Sequence, residues 1–498
     1  MPSSHQQGCQ SHRLYSALRR TNMGMHTGYK ALNLALVDPE NGLVVACEIN
    51  EEYVNIGKPF LRGMSEDKLK LLSCHYTWDL QKEDGDLNFL EVKVRERLAV
   101  KCEYRGNLKQ REFNFLAFIK HLQGFNDEAL KNLQLAKKEH PDDDSNVIVT
   151  YGNLAWVHSL MGNVTEAETY IEKVHEILRA LPAPSPAESQ REVQSEKAWS
   201  LLKFSRKTYI RAKESFLEAL QKEPEDKEWN TGLAFSLFRL EGLKIGQYKR
   251  VRFEESPAVL QLKKALNLDP DNAMIHVYLG LKCYKSTKNG NNAEAWQYMT
   301  QALTMAPDNL SVVLHVARFM KKEQFYDKAL KVLLEMLKKA PDSSRLHHEL
   351  ANNYRWKAMQ MNDAHNPELL GLCIHHLERG TTLNPGYIYP RLELALRYAE
   401  QKQMAKAEQM FTELFALPDL KPADRQAWHR MYGDFKQYRL GSERAAVEHY
   451  KQGMMLGRVS TEWNACRNRL RKILQHDRRD TYEIRTLFHS FRTENQDY

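Results

Sequence analysis

One arrangement of small and bulky apolar residues recurs along most of the chain, with polar positions between its members. A small residue is followed by a bulky apolar residue four positions on and by a small or apolar residue seven positions on. This spacing places all three on one face of an α-helix. Small residues let two helices approach closely, and the bulky residue fills the space between them, so the pattern predicts a series of packed helix pairs. It occurs at Ala129/Leu133/Ala136, Ala167/Ile171/Val174, Ala212/Phe216/Ala219, Ala295/Met299/Ala302, Ala329/Leu333/Met336, Ala407/Phe411/Leu414 and Ala446/Tyr450/Gly453.

Prolines follow many of these helices at a similar offset, where each helix is expected to stop. Two of them lie 34 residues apart, which is the length of one tetratricopeptide repeat. The sequence therefore predicts an all-α protein, a tetratricopeptide-repeat α-solenoid whose first helices line a concave surface. The prolines are Pro141, Pro224, Pro270, Pro307, Pro341 and Pro385.

Two longer insertions interrupt the repeats, a proline-rich segment at 181–186 and a basic segment at 244–256. Irregular insertions predict a bent superhelix of subdomains enclosing a basic groove or tunnel. The start of the chain lacks a sustained helical period, and an amphipathic helical run with Leu69, Leu71 and Leu72 opens near residue 64. The predicted divisions are an N-terminal extension at 1–63, expected to be poorly ordered or a small accessory element, and tetratricopeptide subdomains at 64–242, 243–385 and 386–498, the last with a basic tail.

Composition narrows the class of protein. The 498 residues exceed the size of a single core, and 42% hydrophobic residues exclude wholesale disorder. We see no membrane span and no secretory signal, and the seven cysteines form no CxxC motif, so we expect a cytoplasmic protein with reduced thiols. The net charge of +8 hints only weakly at an anionic partner.

An aromatic residue and a base recur together about one repeat apart. Trp199 and Lys203 share one helix face, and Phe235 and Arg239 reproduce the pair on the next first helix. Considered alone, the bases can be solvated surface charges and the aromatics can be packing residues. Two such pairs facing one groove instead indicate a site for a phosphate beside an unpaired base.

Several blocks together resemble the interferon-induced proteins with tetratricopeptide repeats, in that family's order and at nearly its spacing. The resemblance extends from about residue 65 to about residue 479, and the family's usual last repeat is missing after Asp480. The blocks are Cys74-His75-Tyr76-Thr77-Trp78, Leu116-Ala117-Phe118-Ile119-Lys120-His121-Leu122-Gln123-Gly124, Thr150-Tyr151-Gly152-Asn153-Leu154-Ala155-Trp156-Val157, Trp199-Ser200-Leu201-Leu202-Lys203-Phe204 and Leu346-His347-His348.

The resemblance implies a cytosolic antiviral effector that holds the 5' end of single-stranded RNA, bearing a triphosphate or an incompletely methylated cap, in a basic tunnel. It implies no enzyme activity, no cofactor and no membrane, and it suggests homologous tetratricopeptide proteins or translation factors as further partners. The implied phosphate-binding residues are Lys93, Arg97, Lys203, Tyr209 and Arg239; those flanking a cap guanine are Trp199 and Phe235; those further along the tunnel are Lys321 and His348.

The chain also departs from that family's pattern. Ser311 and Leu314 stand where the family usually has Tyr and Arg, and Glu349 replaces a Gln after the histidine. A carboxylate at that position repels phosphate unless a cation pairs with it.

Other groups of residues give weaker indications of a functional site. His347-His348 and Cys373-Ile374-His375-His376 suggest a metal site, but adjacent histidines point to different helix faces and no fourth ligand has zinc spacing. No glycine-rich phosphate loop is present in the sequence. The basic run that includes Arg467, Arg469, Arg471 and Lys472 is either a solvated face or an electrostatic lip that attracts RNA. A protein-interaction scaffold remains the alternative function, since most tetratricopeptide arrays bind peptides in the same concave face.

Overall fold

The computed structural model of the chain describes residues 67–100, 108–140, 145–180, 186–243, 253–286, 292–363, 366–418, 420–458, 460–476 and 481–493. These residues form α-helices and short 3-10 turns without strands, as the sequence predicts. The predicted extension at 1–63, Pro141 and most of the two insertions lie outside the described residues. Among the described helices, none combines the length and apolarity that a membrane crossing requires.

The helices follow one another along the chain with short connections. The α-helices are α1 Leu87–Ala99, α2 Leu108–Leu122, α3 Asn126–Lys137, α4 Ile148–Leu160, α5 Val164–Ala180, α6 Pro186–Phe204, α7 Tyr209–Lys222, α8 Lys227–Leu243, α9 Pro257–Leu268, α10 Ala273–Ser286, α11 Ala293–Met305, α12 Leu310–Lys322, α13 Tyr326–Lys339, α14 Ser344–Gln360, α15 Pro367–Leu383, α16 Ile388–Glu400, α17 Met404–Phe415, α18 Pro422–Tyr438, α19 Glu443–Met455, α20 Glu462–His476 and α21 Thr481–Thr493. The 3-10 turns are His75–Thr77, Lys82–Asp84 and Ser145–Val147.

Contacts divide the chain into two compact units. Unit 1 contains residues 1–84 and 106–203, and unit 2 contains residues 85–105 and 204–498. Helix α1 therefore belongs to unit 2, although α2 to α5 and nearly all of α6 belong to unit 1. The three subdomains predicted from the insertions describe a different partition, and that partition stays a prediction.

The predicted small and bulky residues form the contacts between paired helices. Every member of the seven sets is buried. Phe216 of α7 lies so close to Gly232 of α8 that a Cβ atom there would be 2.2 Å from its ring. Glycine is thus required at 232 because the bulky residue fills the space that a side chain would take.

Two further sets have the same spacing, although our sequence reading did not include them. Both follow the small, bulky, small order and are buried, and they lie on α9 and α15. They are Ala258/Leu262/Ala265 and Cys373/Leu377/Gly380.

The predicted proline stops are confirmed for the described helices. Helices α7, α9, α11, α13 and α15 each end two residues before a proline. The turn inside a helix pair uses another device, a residue with left-handed backbone geometry. Gly124 supplies it after α2 with φ 91°, and Lys402 supplies it after α16 with φ 66°. Because a side chain disfavours that geometry, the second turn carries a local conformational cost.

The predicted opening run is only partly correct. Leu69 and Leu72 are buried in the unit 1 core, but Leu71 is 82% exposed. Described helical geometry ends at residue 70 and the chain turns there, so Leu71 lies in the turn and leaves the buried face.

Candidate functional site

The predicted site residues lie on helices of both units. Unit 1 holds Trp199 and Lys203, both on α6. Unit 2 holds the others: Lys93 and Arg97 on α1, Tyr209 on α7, Phe235 and Arg239 on α8, Lys321 on α12, and His348 on α14. The predicted convergence of Lys203 with Arg239 involves both units and stays a prediction.

Lys203 already has a carboxylate partner. Its Nζ donates to Glu112 Oε1 over 2.7 Å, and it lies 5.9 Å from the centre of the Phe115 ring. The Lys203 side chain is 18% exposed and that of Glu112 only 6%. Because removing Lys203 would take a counter-ion from a buried carboxylate, we expect its substitution to lower stability.

Further polar residues of α2 continue this buried network in unit 1. Arg111 pairs with Glu192 of α6 at 2.5 Å, and Asn114 Nδ2 donates to Glu196 Oε1 over 3.0 Å. Burial raises the pKa of Glu196 to about 7, against the lowering influence of Arg111, Asn114 and Lys203. Sequence reasoning missed these residues, since their spacing on α2 resembles an ordinary polar helix face.

Trp199 is half-buried in unit 1. Its predicted contact with a cap guanine requires one exposed ring face. The partial exposure is compatible with that role and also with helix packing.

Phe235 and Arg239, the aromatic and basic pair of unit 2, lie in different environments. The Arg239 guanidinium lies 5.4 Å from the centre of the Tyr209 ring, so two predicted phosphate-binding residues are brought together. Phe235 is only 8% exposed and packs edge-on against Tyr278, with ring centres 4.5 Å apart. This burial favours packing over the predicted base stacking for Phe235.

Helix α1 packs against residues far along the chain within unit 2. Glu96 accepts hydrogen bonds from the Ser344 hydroxyl over 3.1 Å and from Arg345, and Asp86 pairs with Lys421 at 2.8 Å. Lys93 and Arg97 stand one turn apart on this helix and are half-buried. The predicted pair is therefore anchored to later repeats by its own helix.

His315 lies close to several positive charges, including that of Lys93. Burial, together with the charges of Arg318, Lys93 and Arg345, lowers the pKa of His315 to about 4, against the raising influence of its hydrogen bond to Ser311. Its Nδ1 is 2.7 Å from the Ser311 carbonyl oxygen, which fixes the ring. Basic residues of α1, α12 and α14 thus surround one imidazole in unit 2.

Glu349, the departure from the family pattern, is paired. It contacts Lys321 Nζ at 2.5 Å and Arg318 Nε at 2.8 Å, and its side chain is 5% exposed. Burial opposes ionisation of Glu349, but attraction to Lys321 and Arg318 outweighs it and lowers the pKa of the carboxyl. One carboxylate therefore neutralises one of two cations, and one positive charge remains.

The other two departures from the family pattern, Ser311 and Leu314, offer fewer contacts to a ligand. Leu314 is 1% exposed and belongs to the core, so it offers no contact to a ligand. Ser311 is half-buried and its carbonyl group is engaged by His315.

The neighbouring histidines point in different directions, as predicted. His348 Nε2 contacts Glu393 Oε2 at 2.9 Å, whereas His347 Nδ1 contacts His376 Nδ1 at 2.9 Å. Burial raises the pKa of Glu393, but attraction to His348 and the hydrogen bond between the two side chains help to lower it to about 2. Within the described ranges, no three His, Cys, Asp or Glu residues are grouped as metal ligands.

The basic C-terminal run is not uniformly solvated. Arg469 donates to Asp434 over 2.8 and 3.2 Å, and Arg467 lies 5.6 Å from the centre of the Trp463 ring. Arg471 and Lys472 remain exposed. Only part of α20 is therefore the solvated basic face that was one of the two predicted alternatives.

The paired helices with buried small and bulky residues define a tetratricopeptide-repeat α-solenoid, and the tetratricopeptide repeat family model matches residues 112–180 and 286–352. The chain is 32% identical over 441 residues to the human (Homo sapiens) antiviral innate immune response effector IFIT1, which covers 85% of this chain and 90% of that protein. The chain belongs to the family of interferon-induced proteins with tetratricopeptide repeats.

Solved structures of the same human protein resemble the chain. The human IFIT1 dimer with PPP-AAAA has a TM-score of 0.62 at 32% identity, covering 83% of this chain and 90% of that one. The human IFIT1 dimer with m7Gppp-AAAA has a TM-score of 0.64 at 31% identity, covering 83% and 91%.

The start of the chain matches a different family. An O-methyltransferase family model matches residues 12–79, most of which lie outside the described residues. The mouse (Mus musculus) catechol O-methyltransferase domain-containing protein 1 is 47% identical over 85 residues, which cover 16% of this chain and 32% of that protein. The family-model match therefore starts within the predicted extension at 1–63 and continues into the described residues 67–79.

Proposed function

We propose that this chain binds the 5' end of single-stranded RNA, as a triphosphate or an incompletely methylated cap, and withholds that RNA from translation without turnover. The observation that carries the proposal is the similarity to human IFIT1 over more than four fifths of the chain, including structures of that protein with PPP-AAAA and m7Gppp-AAAA. In this proposal the protein is a cytoplasmic antiviral effector and acts by occupancy.

The charges of unit 2 support a polyanionic ligand. Lys93, Arg318 and Arg345 lie close enough to His315 to influence its ionisation, and Arg318 shares Glu349 with Lys321. A triphosphate carries several negative charges, and guanidinium groups offer it paired donors. The proposed contacts to phosphate use these cations together with Arg97, Tyr209 and Arg239.

In this proposal Lys203 contacts phosphate while it also pairs with Glu112. Because it pairs with Glu112, its contact with phosphate requires it to share its charge between two anions. A shared cation gives a smaller gain in affinity than a cation with no carboxylate partner.

The proposal is tested by comparing two RNAs of identical sequence that differ only at the 5' end. We expect the 5'-triphosphate RNA to bind about tenfold or more tightly than the 5'-hydroxyl RNA, the equivalent of one charge-assisted contact. The measurement is a gel-shift titration of both RNAs at fixed salt. Equal affinities would remove 5'-end recognition and leave general polyanion binding.

Trp199→Ala tests the cap separately. If the indole stacks on the cap guanine, the substitution weakens capped, unmethylated RNA by about 1–3 kcal/mol and leaves triphosphate RNA nearly unchanged. Equal losses on both RNAs together with a lower melting temperature would identify Trp199 as a packing residue.

A further inference from the structure

A small cavity lies in unit 2 among helices α14, α15, α16 and the end of α18. Its volume is about 190 Å3, and its lining includes Arg355, Arg397, Arg439, Glu400, Cys373 and Leu370. None of these residues belongs to the site predicted from the sequence. Three arginines therefore line one cavity.

The carboxylates near the cavity do not balance its cations. Glu400 forms ion pairs with two of them, with Arg397 at 2.8 Å and with Arg439 at 2.6 Å. Glu393, the other carboxylate that acts on Arg397, is engaged by His348. The surroundings therefore hold three arginines against two carboxylates, and one of those carboxylates has another partner.

Two of the arginines have a buried donor without an acceptor. The Nε atoms of Arg355 and Arg397 are inaccessible to solvent, and no hydrogen-bond acceptor reaches either of them in the described part of the chain. The Arg397 residue as a whole is only 4% exposed. A buried charged donor without an acceptor destabilises the folded state, so such a group calls for a specific explanation.

We propose that this cavity binds a phosphate group. Guanidinium forks match the oxygens of phosphate and are the preferred side chains for it, and an anion here would supply the missing negative charge. The volume corresponds to about six water molecules at roughly 30 Å3 each, which suits one oxyanion with some water. It lies below the roughly 300 Å3 at which pockets for larger organic ligands begin.

The phosphate has two possible sources, a free inorganic ion or a backbone phosphate of a bound RNA, and the experiment separates them. In the first arm, thermal melting of the full chain is followed against inorganic phosphate, with chloride at equal ionic strength and pH as the reference. We expect a saturable rise of the melting temperature with phosphate, since a ligand of the folded state stabilises it.

In the second arm, 5'-hydroxyl RNA is titrated by fluorescence anisotropy with and without inorganic phosphate. If the RNA backbone supplies the phosphate, Arg355→Gln weakens this RNA and inorganic phosphate competes with it beyond the effect of ionic strength. If the ion is free, RNA affinity is unchanged and only the first arm responds. This readout does not depend on 5'-end recognition, so its failure is distinguishable from failure of the proposed function.

Arg355→Gln is the main variant because Arg355 is only half-buried. We expect about a tenfold loss of affinity for the phosphate probe. Arg379→Gln is the matched control: Arg379 lies on α15 but its side chain is 47% exposed and pairs with Asp342. The control should keep the wild-type response.

Arg397→Met supplies a second test that separates binding from folding. It removes a buried cation, and Glu400 keeps Arg439 as a partner. We expect the phosphate response to disappear while the melting temperature in chloride is kept or raised. Arg355→Gln decides the question if Arg397→Met fails to fold. A wild-type phosphate response in Arg355→Gln, or no response to either phosphate source in the wild type, would overturn the proposal.

Discussion

The Lys203–Glu112 pair of unit 1 differs from the Glu349 and Glu400 clusters of unit 2 in how many cations each carboxylate contacts. In unit 1, Lys203 pairs with Glu112, although Glu192 is shared by Arg111 and Arg191. In unit 2, one carboxylate often serves two cations: Glu349 contacts Arg318 and Lys321, and Glu400 contacts Arg397 and Arg439.

This difference teaches that the position of a basic residue does not by itself define a phosphate site. A phosphate responds to the charge that remains after local pairing. By that criterion the surroundings of Glu349 and of Glu400 in unit 2 carry a local surplus of positive charge, whereas Lys203 of unit 1 is balanced by Glu112.

The largest effect is expected for Lys203→Ala, which leaves the Glu112 carboxylate without this counter-ion. We expect the free energy of unfolding to fall by about 3 kcal/mol, as is typical when one member of a buried pair is removed. Urea denaturation of the full chain measures it. Lys203→Ala combined with Glu112→Gln is the control and should recover most of the loss, because the buried charge is gone. Full stability in the single variant would mean that the pair contributes nothing to folding.

The sequence predicted the repeating framework but not these pairings. The alanine sets and the proline stops are local patterns with fixed spacing, so helices such as α7 and α13 could be located from the sequence alone. The sets on α9 and α15 have the same spacing and carry the same signal. The contact of Lys203 with Glu112 joins residues 91 positions apart, and no periodicity encodes such a distance.

Helix α1 illustrates the same limit in unit 2. Its residues Lys93 and Arg97 were identified through a family resemblance, yet nothing in the local sequence indicates that Glu96 binds Ser344, 248 positions later. Likewise, the sequence indicates that Glu349 needs a cation as a partner. Which cations pair with it depends on how α12 packs against α14. Long-range packing, which local patterns do not specify, decides these contacts.

Glu196→Gln tests the electrostatics of unit 1 through pH. Burial raises the pKa of Glu196 from an ordinary value of 4.5 to about 7, so the folded protein binds more protons than the unfolded one between these values. Stability is therefore lost as pH rises through this window. At pH 8 we expect the variant to be more stable than the wild type by about 3 kcal/mol, with little difference near pH 4, since glutamine still accepts from Asn114.

The measurement for Glu196→Gln is the melting temperature across that pH range. Glu172→Gln, at an exposed position of α5, is the matched control and should give parallel curves. Parallel curves for Glu196→Gln as well would show that the buried carboxyl ionises in the folded protein as it does in the unfolded chain.

Glu349→Gln tests the charge surplus of unit 2. Removing the carboxylate that Arg318 and Lys321 share should strengthen binding of 5'-triphosphate RNA by about tenfold, the equivalent of about 1.4 kcal/mol. The dependence of log affinity on log salt should steepen by about one unit or less. Glu335→Gln is the control, because Glu335 is exposed and pairs only with the exposed Lys338 among the ion pairs of α13. Unchanged affinity would place these two cations away from the bound RNA.

The smallest effect is expected for Arg239→Lys, which keeps the charge but removes the planar guanidinium. Arg239 lies over the Tyr209 ring, and a cation over an aromatic ring contributes about 0.5–1 kcal/mol, so stability should change little. If Arg239 binds phosphate through two parallel donors, lysine replaces them with a point charge, and affinity for 5'-triphosphate RNA should fall about threefold. The salt dependence should stay the same, because the number of positive charges is unchanged. Arg239→Ala provides the contrast: it should weaken binding by about tenfold and flatten the salt dependence by about one unit or less. Anisotropy titrations at several salt concentrations measure both quantities. If Arg239→Lys and Arg239→Ala both bind as the wild type does, the guanidinium does not contact the bound phosphate, and the phosphate contacts of unit 2 must come from α1, α12 and α14.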